Sequence, residues 1–303
     1  MLGRKLLEER IKKLKKEKNA VILAHNYQPP EIQDIADFVG DSLELSRKAA
    51  SVDAEVIVFC GVYFMAETAN ILSPEKVTLL PDIYAGCQLA DMITVQALRE
   101  KKKEYPGAAV VCYVNSPAAV KAESDICCTS ANALAVVNSL KDFDKIIFVP
   151  DKNLGSYVAS KTSKEIILWD GYCPTHNDIE VGQIAKLKEN YPHAVFMAHP
   201  ECRPEVLALA DEVLGTSDML KFASKSSANE IIVGTEEGMV YRLQKDNPEK
   251  KFIKIERAIC KDMKIITLDK IEKSLKNLEP KVVVPNEVRV KAKESVNRMM
   301  KIS

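Results

Sequence analysis

Asp170-Gly-Tyr-Cys-Pro-Thr-His176 decides how this chain is read, because of the cysteine at its centre. Cys173 has a partner on either side at nearly equal distance: Cys87 lies 86 residues before it and Cys260 lies 87 after it. Cysteines scattered at random seldom fall so evenly, and self-similarity at a fixed period is the first thing to test in a sequence. Here the test succeeds, and the chain reads as three copies of one unit that each end in a cysteine.

Each copy opens with a short apolar run that predicts a buried strand: Val21–His25, Val110–Val114 and Val195–His199. A helical pattern then closes on an aspartate (Asp37, Asp125, Asp211), and five residues later each copy carries a hydroxyl: Ser42, Ser130 and Thr216. A second helix leads to a second apolar strand at Val56–Phe59, Ile146–Val149 and Ile231–Val233. A further helix and a third strand lead to the cysteine. Strands alternating with helices imply parallel sheets built from right-handed βαβ units. The expected architecture is therefore α/β: three pseudo-symmetric three-layer αβα sandwiches whose equivalent residues converge on one axis. The expected boundaries are residues 1–84, 85–170 and 171–285. The tail, with Val288, Ala292, Val296 and Met299 at helical spacing, predicts a helix over 286–303 that packs back on the first unit.

Composition narrows the function classes. Of 303 residues 47% are apolar, enough for a sizeable core, and the 43 basic residues balance the 43 acidic ones. Zero net charge argues against a nucleic-acid or anionic-membrane partner. No run reaches the ~18 apolar residues of a membrane helix. The segment 1–18, with Leu7, Ile11 and Leu14 in register, predicts an amphipathic surface helix and lacks the apolar centre of a signal peptide. Eight cysteines are too few for a disulfide scaffold in a chain of this length, which points to a reducing cytoplasm.

Three converging thiols call for a metal, and the residues leave two options open. One is structural zinc with His176 as fourth ligand, since Cys173-x-x-His176 has suitable spacing; the other is an iron–sulfur cluster on three cysteines. Cys60, Cys112, Cys127 and Cys128 read as core residues, and Cys202, near a helix start, as packing with some thiolate character. The hydroxyls of Ser42, Ser130 and Thr216 stand where helices are expected to begin, and Asp41-x-x-Glu44 reads as a capping box. One such serine means capping; three at matched positions favour a shared anion site. The strand ends carry His25, Asn26, Tyr27, Tyr113, Asn115, His199 and Glu201, where ligands of parallel α/β sheets bind. Histidines there can hold carboxylates or shuttle protons, and Glu201 adds an acid–base group.

The motifs together resemble one family. Ala24-His-Asn-Tyr-Gln28 with Asp34-Ile-Ala-Asp-Phe-Val-Gly-Asp-Ser42 is similar to the opening signature of quinolinate synthase. Tyr113-Val-Asn-Ser116, Thr129-Ser-Ala-Asn132, Pro150-Asp-Lys-Asn-Leu154, His199-Pro-Glu-Cys202 and Gly234-Thr-Glu-Glu-Gly-Met239 extend the match over nearly the whole chain. The resemblance implies a [4Fe-4S] cluster at the centre, with Cys87, Cys173 and Cys260 as metal ligands. It implies a transferase of NAD biosynthesis that condenses iminoaspartate with dihydroxyacetone phosphate to quinolinate, releasing phosphate and water, with an open iron as Lewis acid. His25, Ser42, Asn115, Ser130, His199 and Thr216 are then substrate-binding, and Tyr27, Tyr113 and Glu201 catalytic. Partners are the two small substrates and, as a candidate, the enzyme that supplies iminoaspartate. Tyr172 stands before Cys173 where many members have His, a departure that leaves every ligand in place. Two readings from other classes compete: a non-catalytic domain with zinc or an electron-transfer cluster, and a cluster-dependent hydro-lyase for another small diacid.

Overall fold

In the computed structural model, which describes residues 2–302, the strands form three four-stranded sheets of one design. The first holds β1 (Ala20–His25), β2 (Phe38–Gly40), β3 (Val56–Cys60) and β4 (Val77–Leu79). The second holds β5 (Ala109–Tyr113), β6 (Ile126–Cys128), β7 (Lys145–Val149) and β8 (Glu165–Leu168). The third holds β9 (Val195–Ala198), β10 (Glu212–Val213), β11 (Glu230–Gly234) and β12 (Lys251–Lys254). The spatial orders are β2-β1-β3-β4, β6-β5-β7-β8 and β10-β9-β11-β12, and all pairings between these strands are parallel. Helices cover the sheets, so central strands are continuous apolar runs with no polar alternation: β3 and β5 are buried at every residue. This is the three-layer α/β arrangement that the repeat implies.

The threefold relation extends to single hydrogen bonds. Asp37, Asp125 and Asp211 each reach back to the first strand of their sheet. Their carboxylates accept from the N–H of Ile22 (2.8 Å), Val110 (2.7 Å) and Phe196 (2.7 Å). Their own N–H groups donate to the carbonyls of those same three residues. Each aspartate thus starts a short strand, β2, β6 or β10, of only two or three residues, which the apolar pattern alone does not announce. Lys76, Lys164 and Lys250 likewise donate to the C-cap carbonyls of Val52, Leu140 and Ser226, where a cation complements the helix end.

The two ends of the chain depart from expectation. Helix Leu268–Asn277, placed by the repeat in the third unit, lies instead against helix Leu2–Glu17 and β3 of the first. The following segment adds to the edge of the first sheet through an antiparallel bridge of Leu79 with Lys281 and a bond from Val282 N–H to Thr78 O (2.9 Å). The face of the first unit is therefore already covered. Helix Asn286–Met300 packs chiefly on the second unit, against helix Ala118–Ala122 and β6, not on the first as expected. Its Ser295 donates to Lys121 O (2.8 Å) and its Arg298 to Asp125 O (2.8 Å), while it touches the first unit along one edge, through Lys293 to Leu72 O (3.2 Å) and through Met300 O, which accepts from Arg47 (3.3 Å). The small side chains of Ala118 and Ala292 permit that close approach. The extreme residues of the expected 1–84 and 286–303 segments, Met1 and Ser303, lie outside the described residues. Leu7 and Ile11 bury the apolar face of the first helix as predicted.

The aspartate clamp makes a direct test. Asp125→Ala strands the N–H of fully buried Val110, and is expected to cost about 1–3 kcal/mol in urea unfolding. Asp125→Asn, which keeps an acceptor oxygen, is expected to recover most of that loss.

Candidate active site

In each sheet the chain leaves the first strand in one direction and the third in the other, so a crevice opens beyond their carboxyl ends. The three crevices meet in one cavity of about 280 Å³. It is lined by His25 and Tyr27 after β1, Tyr113 and Asn115 after β5, and His199 and Glu201 after β9. Ser42, Ser130 and Thr216 line it too, as do Cys87, Cys173 and Cys260. Ser42 and Thr216 are the first residues of ten-residue helices, and the Asp41–Glu44 capping box is formed. Ser130 differs from expectation: its helix begins at Ala133, because Asn132 closes the turn by accepting from the N–H of Thr129 (2.8 Å). Ser130 still reaches the cavity, since Gly215 lets the two loops touch; a Cβ there would lie 3.3 Å from Ser130 Oγ.

A polar network ties these groups together. Glu201 Oε2 lies 2.8 Å from His176 Nδ1 and 3.3 Å from His199 Nδ1, and the two imidazoles stack at 4.5 Å. His199 Nε2 stands 3.2 Å from Ser130 Oγ. Tyr27 Oη lies 2.6 Å from Thr235 Oγ1, which lies 2.8 Å from His176 Nε2. Asn26 donates to Thr216 Oγ1 (3.0 Å) and accepts from Arg242 (3.0 Å). On the cavity wall two buried side-chain atoms lack a protein partner among the described residues, Glu201 Oε1 and Asn115 Oδ1.

The charge states follow from burial. Burial holds His25 down at about 3, with His199 adding to the effect, and it lowers His199 with His176 as the second cause. Burial alone would raise Glu201, but His176 and His199 outweigh it and keep the carboxyl well below its usual range. Burial first and the Glu201 charge second push the Tyr27 and Tyr113 phenols well above 10. At neutral pH the site thus holds neutral imidazoles at His25 and His199, neutral phenols at Tyr27 and Tyr113, and an ionised carboxylate at Glu201.

The cysteines divide cleanly. Cys60, Cys112, Cys127, Cys128 and Cys202 are buried, and Cys87, Cys173 and Cys260 are the ones that retain exposure. Burial raises the Cys202 thiol instead of favouring a thiolate. Among the described residues, the three-donor group whose ligand atoms all fall within 4.8 Å is Cys173, His176 and Glu201. The three cysteines do not form such a group. A single tetrahedral zinc with Zn–S of ~2.3 Å would bring thiolates to about 3.8 Å of each other. Three thiols spread around one cavity fit a larger, sulfur-bridged group better, and the exposed donor set is one that suits iron–sulfur ligation.

Comparison with known proteins agrees with this geometry. A family model described as quinolinate synthetase A protein matches residues 9–301. The chain belongs to that family. A quinolinate synthase of Dehalococcoides mccartyi (strain CBDB1) is 60% identical over 300 residues, covering 99% of both chains. One of Methanosarcina barkeri (strain Fusaro) is 56% identical over 297 residues, covering 98% of this chain and 97% of its own. The fold brings the expected substrate-binding, proton-transfer and cysteine residues to the wall of one cavity, while Asn26 lies fully buried behind it and holds Thr216. It also brings in residues that sequence reasoning passed over as site groups: Thr235, Asp151, Glu236 and Lys264. Asp151 and Glu236 follow the second strand of a crevice at the position of Val62, and Thr235 stands one residue earlier, so all three were reachable from the period.

Iron counts decide between the donor sets. Cys87→Ala, Cys173→Ala and Cys260→Ala are each expected to abolish cluster assembly, while Cys60→Ala and Cys112→Ala keep it. A single ion on Cys173, His176 and Glu201 would instead survive Cys87→Ala and Cys260→Ala.

A second test is acid stability. His25 binds its proton at about 3 when folded against an ordinary 6.5, so between those values the unfolded chain holds more protons. The contribution of His25 is fully present above 6.5 and is lost as pH falls towards 3. Urea midpoints of the metal-free chain should drop over that window, and His25→Gln should flatten the drop.

Proposed function

We propose that this chain is a quinolinate synthase in the full sense: it condenses iminoaspartate with dihydroxyacetone phosphate, and atoms balance as quinolinate, phosphate and two waters. One observation carries the reading. The exposed cysteines share a cavity with helix-start hydroxyls and with a glutamate that burial would neutralise were it not for two histidines. An electron-transfer or structural metal site has no use for the second half of that wall.

Both substrates are anions. Ser42 and Thr216 offer hydroxyls and free N–H groups at positive helix ends, which suits carboxylate or phosphate oxygens. Asn115 and Ser130 add polar groups from the second unit, and Ser130 is oriented by His199. His25 and His199, neutral in the empty site, gain affinity for a proton when a dianion arrives, so binding takes up protons. Glu201, ionised and with Oε1 unpartnered, is placed to accept a proton from the carbon acid of the condensation. Tyr27 and Tyr113, held as phenols, donate. Cys87, Cys173 and Cys260 would hold a four-iron cluster whose fourth iron has no protein thiolate, and that iron supplies a Lewis acid for loss of an oxygen as water. The free thiols at all eight cysteines support a reducing cytoplasm as the setting of the reaction.

Product analysis of anaerobically prepared, iron-loaded protein tests the reading: quinolinate and inorganic phosphate are expected, and a different diacid would assign the hydro-lyase alternative. Tyr27→Phe is expected to keep fold and iron content while kcat falls ~100-fold or more, the usual weight of a positioned proton donor. An unchanged kcat would remove Tyr27 from the chemistry.

A further inference from the structure

Cys173 and Cys260 each have a buried carboxylate behind them, but the two carboxylates are not equivalent in their bonds. Asp151 Oδ2 accepts from the N–H of Cys173 (3.1 Å) and Oδ1 from that of Leu154 (2.8 Å). Glu236 Oε1 accepts from the N–H of Cys260 (3.2 Å), and Oε2 from that of Gly238 (2.7 Å). Both stand two residues beyond the second strand of their crevice; the first unit has Val62 there and no carboxylate. Only the third unit adds a cation. Lys264 Nζ lies 2.8 Å from Glu236 Oε1, with Glu236 fully buried, and the same ammonium donates to Tyr27 O (2.6 Å). A repeat that needed only a carboxylate behind its cysteine would not require this lysine, as Asp151 shows.

The bridge spans two units. Cys260, Met263 and Lys264 share one tight segment, in which Asp262–Lys264 is a 3-10 turn. A second stitch runs from Gln28 Nε2 to Met263 O (2.8 Å). From the other side, Gly238 abuts Tyr27 so closely that a Cβ would lie 2.7 Å from Tyr27 O, and Gly238 O accepts from Gln33 (3.1 Å). Displacement of Cys260 therefore moves the lysine that holds the Tyr27 backbone.

We propose that the pair formed by buried Glu236 and half-buried Lys264 is a positioning device that couples occupancy of the Cys260 metal site to the order of the Tyr27 segment, residues 26–33. With Cys260 held by a metal group, Glu236 and Lys264 are fixed and Tyr27 is clamped. With Cys260 free to move, the clamp loosens, so the loaded enzyme alone presents its tyrosine in place. Glu236 and Lys264 are positioning residues that act through Cys260 and Tyr27. The inference rests on Cys260 being a cluster ligand.

Hydrogen exchange read by mass spectrometry on the full chain tests it, with iron and sulfide counted first on every sample. In the unmodified protein, removal of the cluster by chelator is expected to speed exchange in peptides covering 26–33 about tenfold, the equivalent of one charged hydrogen bond. Lys264→Met, loaded with iron, is expected to exchange there at the stripped rate and to change little on stripping. Lys264→Arg should restore slow exchange. Asp151→Asn should speed iron loss to chelator without loosening 26–33 in its loaded form. Should Lys264→Met prove unstable, Glu236→Gln keeps the shape, an acceptor for Cys260 N–H and the same expectation. Equal exchange at 26–33 in loaded unmodified and loaded Lys264→Met protein overturns the coupling, as does an unmodified loop indifferent to stripping. Absence of iron from the unmodified protein would instead sink the ligand reading, and the coupling with it, before any exchange is measured.

Discussion

Everything in this molecule depends on the direction of its strands. Parallel strands need crossovers, the crossovers are helices, and the loops that follow the strands all emerge at one edge of each sheet. Three sheets of the same order present three such edges, and facing them towards one another encloses a cavity walled by eleven different loops or helix starts. Side chains from residue 25 to residue 263 can share that cavity without any one segment crossing it. The aspartate clamps and the lysine caps hold each edge in register from behind, at a distance from the chemistry.

The enclosed site separates charges by environment. His25 and His199 sit where burial favours the neutral form, and Glu201 sits where two imidazole rings overcome burial. The same burial raises the thiols, with Cys260 pushed up to about 11, so a metal group must displace protons to bind. Anionic ligand and metal group thereby act on one proton inventory, the first drawing protons in and the second driving them out.

The repeat of cysteine, aspartate and hydroxyl made the architecture legible, since a period survives in sequence wherever equivalent positions do equivalent work. What escaped were features with no periodic signature. The strands β2, β6 and β10 are too short for any alternation to register, and each is entered through an aspartate that bonds back to the neighbouring strand. Ser130 keeps its place in the cavity while losing its place at a helix start, because Asn132 supplies a turn that the other copies lack. Thr235 matters through Tyr27 and His176, and Lys264 through Tyr27 and Glu236, partners far away in sequence that no local pattern connects. The C-terminal helix was amphipathic to the eye, but which unit it covers depends on which face another helix has already taken.

That last arrangement has a temporal consequence. Arg10 pairs with Glu272 across 262 residues of chain, and Asn70 accepts from the N–H of Val284 across 214. Chains are made from the N-terminus, and units ordinarily fold in that order. Here the first-made of the three sheets receives its edge pairing and its covering helix from residues 268–284, which are made after both other sheets. The first unit must wait, half-dressed, while the second and third complete themselves. Cys87 belongs to that waiting part, so the stretch of cavity wall it contributes is finished only after residues 268–284 have been made.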